Sequence, residues 1–86
     1  MPERTVRVAA RSGLHARPAT LFSEAAAVLG VPVTVVNEAG AEADAASILG
    51  LLTLGVPHGA QVVLRSESTD ALDALAAVLE RDLDDE

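Results

Sequence analysis

Arg11-Ser12-Gly13-Leu14-His15-Ala16-Arg17-Pro18-Ala19 is the stretch across which this chain changes its hydropathy period. Before it, Val6 and Val8 alternate with Thr5, Arg7 and Ala9, which predicts a strand over 5–9 with one buried face. After it, Pro18, Phe22, Ala25, Ala26 and Leu29 recur at three- and four-residue steps, with Ser23 and Glu24 on the other side. That spacing predicts an amphipathic helix over 16–29. A proline in the first helical turn loses an N–H that would have had no partner, so Pro18 fixes the helix start near residues 15–16. The stretch is a strand-to-helix loop broken at Gly13. It sets an imidazole at a helix N-terminus, two residues before a fixed positive charge.

Working outward, Gly30 is a natural helix stop. Val31 to Asn37 is strongly β-branched and predicts a second strand, with Pro32 at its beginning or on an edge. Glu38-Ala39-Gly40 is a turn, and 41–44 is a short third strand closing a hairpin. Ser47 to Leu54 predicts a short helix, capped by Asp44 or Ser47 and ended by Gly55. A loop, Val56-Pro57-His58-Gly59, leads into a fourth strand over 60–66, with Val62 and Leu64 on one side. Ser68 or Thr69 caps a last helix, in which Leu72, Leu75, Ala76, Leu79 and Leu83 form an apolar stripe. The order β-α-β-β-α-β-α in one short chain predicts an α+β open-faced β-sandwich. A four-stranded antiparallel sheet would carry three helices on one face and meet water with the other.

A length of 86 residues allows one domain, so 1–86 is read as a single unit. Its core must be built from Val, Leu, Ile and Ala, because Phe22 is the sole aromatic residue. With no cysteine there are neither disulfides nor thiolate metal sites. The net charge of −7 and the near absence of aromatic rings argue against nucleic-acid binding, which needs phosphate-neutralising surface and stacking platforms. The start, Met1-Pro2-Glu3-Arg4-Thr5, lacks a signal-peptide layout. No stretch approaches the roughly 20 apolar residues of a membrane span. The expectation is a cytoplasmic protein with no membrane insertion. Glu80, Asp82, Asp84, Asp85 and Glu86 make an acidic end that reads as a solvated tail.

Three features lift His15 above an ordinary surface histidine. Backbone N–H groups at a helix start have no intrahelical partner and favour an anion. Arg17 is near enough in sequence to offer charge-assisted hydrogen bonds to a phosphoryl group. Gly13 lets the backbone turn so that the imidazole can point outward. Together they describe an anion site with a nucleophile inside it, and a neutral imidazole is a competent nucleophile toward phosphorus. Arg11 reads either as an addition to the local positive field or as a solvated loop arginine. His58 stands without cysteines and without helical spacing to His15, so no metal site is expected and His58 is placed in a solvated loop.

The run Ser12-Gly13-Leu14-His15-Ala16-Arg17-Pro18-Ala19-Thr20 resembles the active-site signature of the HPr family. These are the small phosphocarriers of the phosphoenolpyruvate-dependent sugar phosphotransferase system. Ser47-Ile48-Leu49-Gly50-Leu51-Leu52-Thr53-Leu54-Gly55 resembles the family's second-helix signature, and Gly59-Ala60-Gln61-Val62 fits its loop into the last strand. The resemblance covers essentially the whole chain, and two separated motifs at the right distance are more specific than either alone. It implies that His15 receives phosphoryl from phospho-enzyme I on Nδ1 and passes it to the A domain of a sugar permease. Arg17 would assist, and the backbone N–H groups around Ala16 and Arg17 would hold the phosphoryl oxygens.

The resemblance also places Ser47 at the serine that HPr kinase/phosphorylase modifies in some bacteria, where added charge would alter partner docking. Local chemistry makes Ser47 a helix cap. Ala46 stands where members with that regulation often carry lysine. The second helix is apolar nearly all round. Leu51 and Leu54 fit an inward face, which leaves Ile48, Leu49 and Leu52 as an exposed docking patch.

No cofactor is called for, and a monomer suits a shuttle. The absence of an acid–base pair points to a carrier rather than an autonomous enzyme. A regulatory paralogue serving a nitrogen-related or dihydroxyacetone branch would use the same histidine chemistry and differ in its acceptor domain. A non-phosphorylated α+β binding module would carry no acid-labile phosphate and would leave the His15–Arg17 placement without a purpose.

Overall fold

The computed structural model describes residues 2–11 and 13–81. Seven elements succeed one another along the chain: β1 (Glu3–Arg7), α1 (Ala16–Leu29), β2 (Thr34–Val36), β3 (Glu42–Asp44), α2 (Ile48–Leu54), β4 (Gln61–Arg65) and α3 (Thr69–Glu80). The expected order and the α+β class are both present. The strands form one antiparallel sheet in the order β1-β4-β2-β3. Val6 stands opposite Val62 and Val35 opposite Leu64, so these four side chains share the face that the helices cover. Phe22 of α1, Leu51 of α2 and Leu75 of α3 are fully buried against that face.

The helix ends follow local chemistry. Gly30 stops α1 in the left-handed conformation (φ 69°, ψ 13°), where a side chain would be strained. The Ser47 hydroxyl accepts from the Gly50 N–H at the start of α2, and the Ser68 hydroxyl accepts from the Ala71 N–H at the start of α3. Each satisfies a donor that has no carbonyl four residues earlier within its helix. Asp44 was one of two expected caps for α2. Its carboxylate instead accepts from the Ala46 N–H, before the helix begins.

Several boundaries differ from the sequence expectation. The second strand was expected over 31–37, but its ladder is confined to Thr34–Val36. In-register bonds from the Ala45 N–H to Val33 O and from the Asn37 N–H to Ala41 O flank it, but Pro32 has no N–H to give, and at the turn Asn37 O takes the Gly40 N–H while the Ala41 N–H goes to Asn37 Oδ1. The first strand begins at Glu3 rather than Thr5, since Glu3 pairs with Arg65 through both the ladder and a 2.6 Å side-chain contact. It ends at Arg7. The Val8 N–H still reaches Ala60 O in register, but Val8 O takes the Gly59 N–H instead of that of Ala60, and the Ala9 N–H turns away to Leu79 O. The third and fourth strands are each trimmed, to 42–44 and 61–65.

Ser23, expected on the solvent side of α1, is buried. The helix packs against α2 and α3 as well as the sheet side, so its buried arc is wider than a single stripe. The Ser23 hydroxyl is satisfied by donating to Thr20 O at 2.9 Å. Leu29, expected on the apolar face, is exposed in the last turn. Ser12, Leu83 and the acidic residues 82 and 84–86 lie outside the described residues. Among the described residues no helix is long and apolar enough to cross a membrane.

Candidate functional site

The loop between β1 and α1 is built by close backbone approach. Gly13 turns with φ 76°, and its N–H donates to Ala10 O. A Cβ placed on Gly13 would lie 2.3 Å from Val56 O and 2.8 Å from Pro57 Cα. The loop therefore lies directly on the segment after α2. Next, the Leu14 N–H donates to Val56 O at 2.8 Å, and the Leu14 side chain enters the core. These contacts anchor the two residues immediately before His15.

His15 is exposed and extended (φ −141°, ψ 155°), in the N-cap position of α1. Its side chain makes no capping hydrogen bond. The ring nitrogens are thus not engaged by the helix start that carries them. Ala16 comes next with φ 44°, in the left-handed region that a residue with a Cβ enters only at a cost of about 1–2 kcal/mol. Pro18 is buried and supplies no N–H, and Ala19 N reaches His15 O only at 3.5 Å. The N–H groups of Ala16 and Arg17 belong to the helix start, where no carbonyl lies four residues back within the helix. Arg17 is exposed.

The structure thus brings together His15, the Ala16 and Arg17 amides, and the end of α2. Leu14, His15, Gly55, Val56 and Pro57 line a shallow depression of about 210 Å³. That is smaller than the usual few hundred Å³ of a small-molecule pocket and suits a small anionic group better than an enclosed substrate. Gly55, Val56 and Pro57 were not among the expected site residues. Nothing in their local pattern distinguishes them from an ordinary helix-ending loop.

The other expected residues lie on α2 and in the loop after it. Ser47 is half-buried, with its hydroxyl committed to the Gly50 N–H at 3.1 Å. Ile48 and Leu49 are 38% and 75% exposed, whereas Leu52, expected beside them, is half-buried and packed against the core. The α2 backbone turns Leu52 partly toward Leu51 and Leu54, so the exposed patch is smaller than expected. His58 is exposed in a turn. Among the described residues no group of three or more His, Cys, Asp or Glu side chains is placed to hold a metal ion.

A family model described as "PTS HPr component phosphorylation site" matches residues 2–81. The chain belongs to the HPr family. The phosphocarrier protein HPr of Streptomyces coelicolor is 47% identical over 75 residues, which is 87% of this chain and 81% of that protein. HPr-C-His of Thermoanaerobacter tengcongensis superimposes with a TM-score of 0.88 at 34% identity, covering 100% of this chain and 99% of that one. The phosphocarrier protein HPr of Bacillus anthracis gives a TM-score of 0.82 at 31% identity, covering 91% and 95%. As an HPr-family chain it is a phosphocarrier of the phosphotransferase system.

Proposed function

We propose that His15 accepts a phosphoryl group on Nδ1 from phospho-enzyme I and passes it to the A domain of a sugar permease. In this reading residues 1–86 act as one phosphocarrier domain, monomeric and cytoplasmic. The observation that carries it is the setting of His15: an exposed ring, unused by the helix it caps, at the N-terminus of a 14-residue helix.

The chemistry is in-line displacement at phosphorus. The Nδ1 lone pair attacks as the donor's bond to phosphorus breaks, and the pair of electrons in that bond leaves with the donor. The second transfer reverses these roles, with His15 as leaving group. Arg17 and the amides of Ala16 and Arg17 donate to the phosphoryl oxygens and hold charge that moves but does not vanish. Ile48 and Leu49, with the exposed part of Leu52, form the docking surface for successive partners. Ser47 as a regulatory phosphosite for HPr kinase/phosphorylase rests on the resemblance alone; its geometry is that of a cap.

The test is incubation with enzyme I and phosphoenolpyruvate, then mass measurement before and after acid treatment. The expected result is a gain of one phosphate that acid removes. His15→Ala should gain none and keep the same melting temperature, because the ring is exposed and bears no capping bond. Phosphorylation retained in that variant overturns the assignment, and an acid-stable phosphate redirects it to Ser47. Presenting the phosphorylated chain to sugar-permease A domains and to nitrogen-branch acceptors then distinguishes the sugar branch from a regulatory one.

A further inference from the structure

We infer that Asn37, more than 20 residues from His15 in sequence and outside its loop, is a positioning residue for the His15 imidazole; this rests on the reading of His15 as the phosphoryl acceptor. Its side-chain amide is engaged at both ends. Oδ1 accepts from the Ala39 N–H at 3.0 Å and from the Ala41 N–H at 2.9 Å, which holds the β2–β3 turn. Nδ2 donates to Leu54 O at 2.9 Å. That carbonyl is in the last turn of α2, where no later helical N–H can reach it. Asn37 therefore ties the C-terminal backbone of α2 to the β2–β3 turn, beside the packing of Leu51 and Leu54 in the core.

Immediately after Leu54 the chain forms the wall of the His15 depression. Gly55 turns the chain with φ 62°, and Val56 O receives the Leu14 N–H one residue before His15. The segment Gly55–Pro57 lines the depression together with Leu14 and His15. The same three residues, with Asn37, Glu38 and Leu54, line a separate hollow of about 260 Å³. Val56 is anchored in the core, whereas its neighbours Gly55 and Pro57 are exposed with space against them, so packing holds the wall at one side chain and backbone bonds set the rest. The Asn37–Leu54 bond at one end, the Leu14–Val56 bond in the middle and the Ala60 N–H to Pro57 O bond at the other hold its backbone. Releasing the first lets the wall drift toward the hollow, and the Leu14 amide moves with it. Effects of this kind, small displacements at a reacting group, are amplified in transfer rate.

Two substitutions separate this role from the turn. Asn37→Asp keeps an acceptor for Ala39 and Ala41 but has no donor for Leu54 O. Asn37→Ser is neutral, can still accept from the turn more weakly, and is too short to reach Leu54 O; it controls for added charge and for any failure of the Asp variant to fold. Three readouts are taken on folded protein: hydrogen exchange of the Leu14 amide, the ¹H–¹⁵N spectrum of the His15 ring, and kcat and KM with enzyme I. The expected result is about tenfold faster Leu14 exchange, shifted His15 ring resonances in both variants, and kcat lowered about fivefold with KM unchanged.

A Leu14 amide and a His15 ring that match the parent in both variants overturn the inference, even if the melting temperature falls. Should the parent chain itself accept no phosphate on His15, the reading of the site fails. The exchange and ring spectra still decide whether Asn37 positions that ring.

Discussion

Gly13→Ala tests whether the loop before His15 is held by backbone approach to the segment after α2. The substitution has two costs. The first is conformational: φ 76° is unfavourable for alanine, which after allowing for the stiffer unfolded chain leaves a net loss of about 1 kcal/mol. The second is steric. The new Cβ would meet Val56 O at 2.3 Å, and ordinary contact begins at 3.4 Å, so the two backbones must separate by the difference, about 1 Å. The Leu14 N–H to Val56 O bond, 2.8 Å long, does not survive that separation. Losing it and leaving a shielded carbonyl unpaired costs about 1–3 kcal/mol.

The expected total is about 3 kcal/mol, or a fall in melting temperature on the order of 15 °C for a domain of this size. Gly30→Ala is the internal control. Its φ of 69° is similar, but nothing lies within 4 Å of its added Cβ, so only the conformational loss of about 1 kcal/mol applies. Urea unfolding of both variants, monitored by circular dichroism with m checked for constancy, measures the difference directly. Equal destabilisation of the two would refute the close approach as the device that seats the loop.

Ala16→Gly should stabilise the chain by about 0.5–1 kcal/mol, because it relieves a φ of 44° at a cost only in unfolded-state entropy; urea midpoints check it, and a loss of stability would show that the alanine methyl packs usefully. Arg17→Ala should slow phosphoryl transfer roughly tenfold while leaving the melting temperature in place, since Arg17 is exposed; an unchanged rate in a single-turnover assay would leave the helix amides as sufficient. Ser47→Ala should lose about 1 kcal/mol by removing the cap on Gly50 N, read as a lowered urea midpoint, with acid-labile phosphate uptake retained.

Local chemistry in the sequence determined much of this protein. The change of period at residues 10–16, Pro18 in a first turn, Gly30 and Gly55 as helix stops and Ser47 and Ser68 as caps act within a few residues of themselves, so the helices could be placed before any packing was known. The same applies to His15 at a helix start beside Arg17. Strand limits were less legible, because a ladder ends where its groups are taken elsewhere, as Asn37 O is by the Gly40 N–H and the Ala41 N–H by Asn37 Oδ1. Ser23 was misplaced because one stripe describes one packing partner, and α1 has several.

Only the tertiary structure decided the order β1-β4-β2-β3, since alternation tells which face a strand buries but not which strand lies beside it. It likewise decided that Val56 and Pro57 lie on Gly13, that Ala16 is driven to a positive φ, and that Asn37 reaches the end of α2. Each is a contact or a constraint set by segments distant in sequence. No window of residues encodes it, because its energy exists only once both segments are packed on the same core.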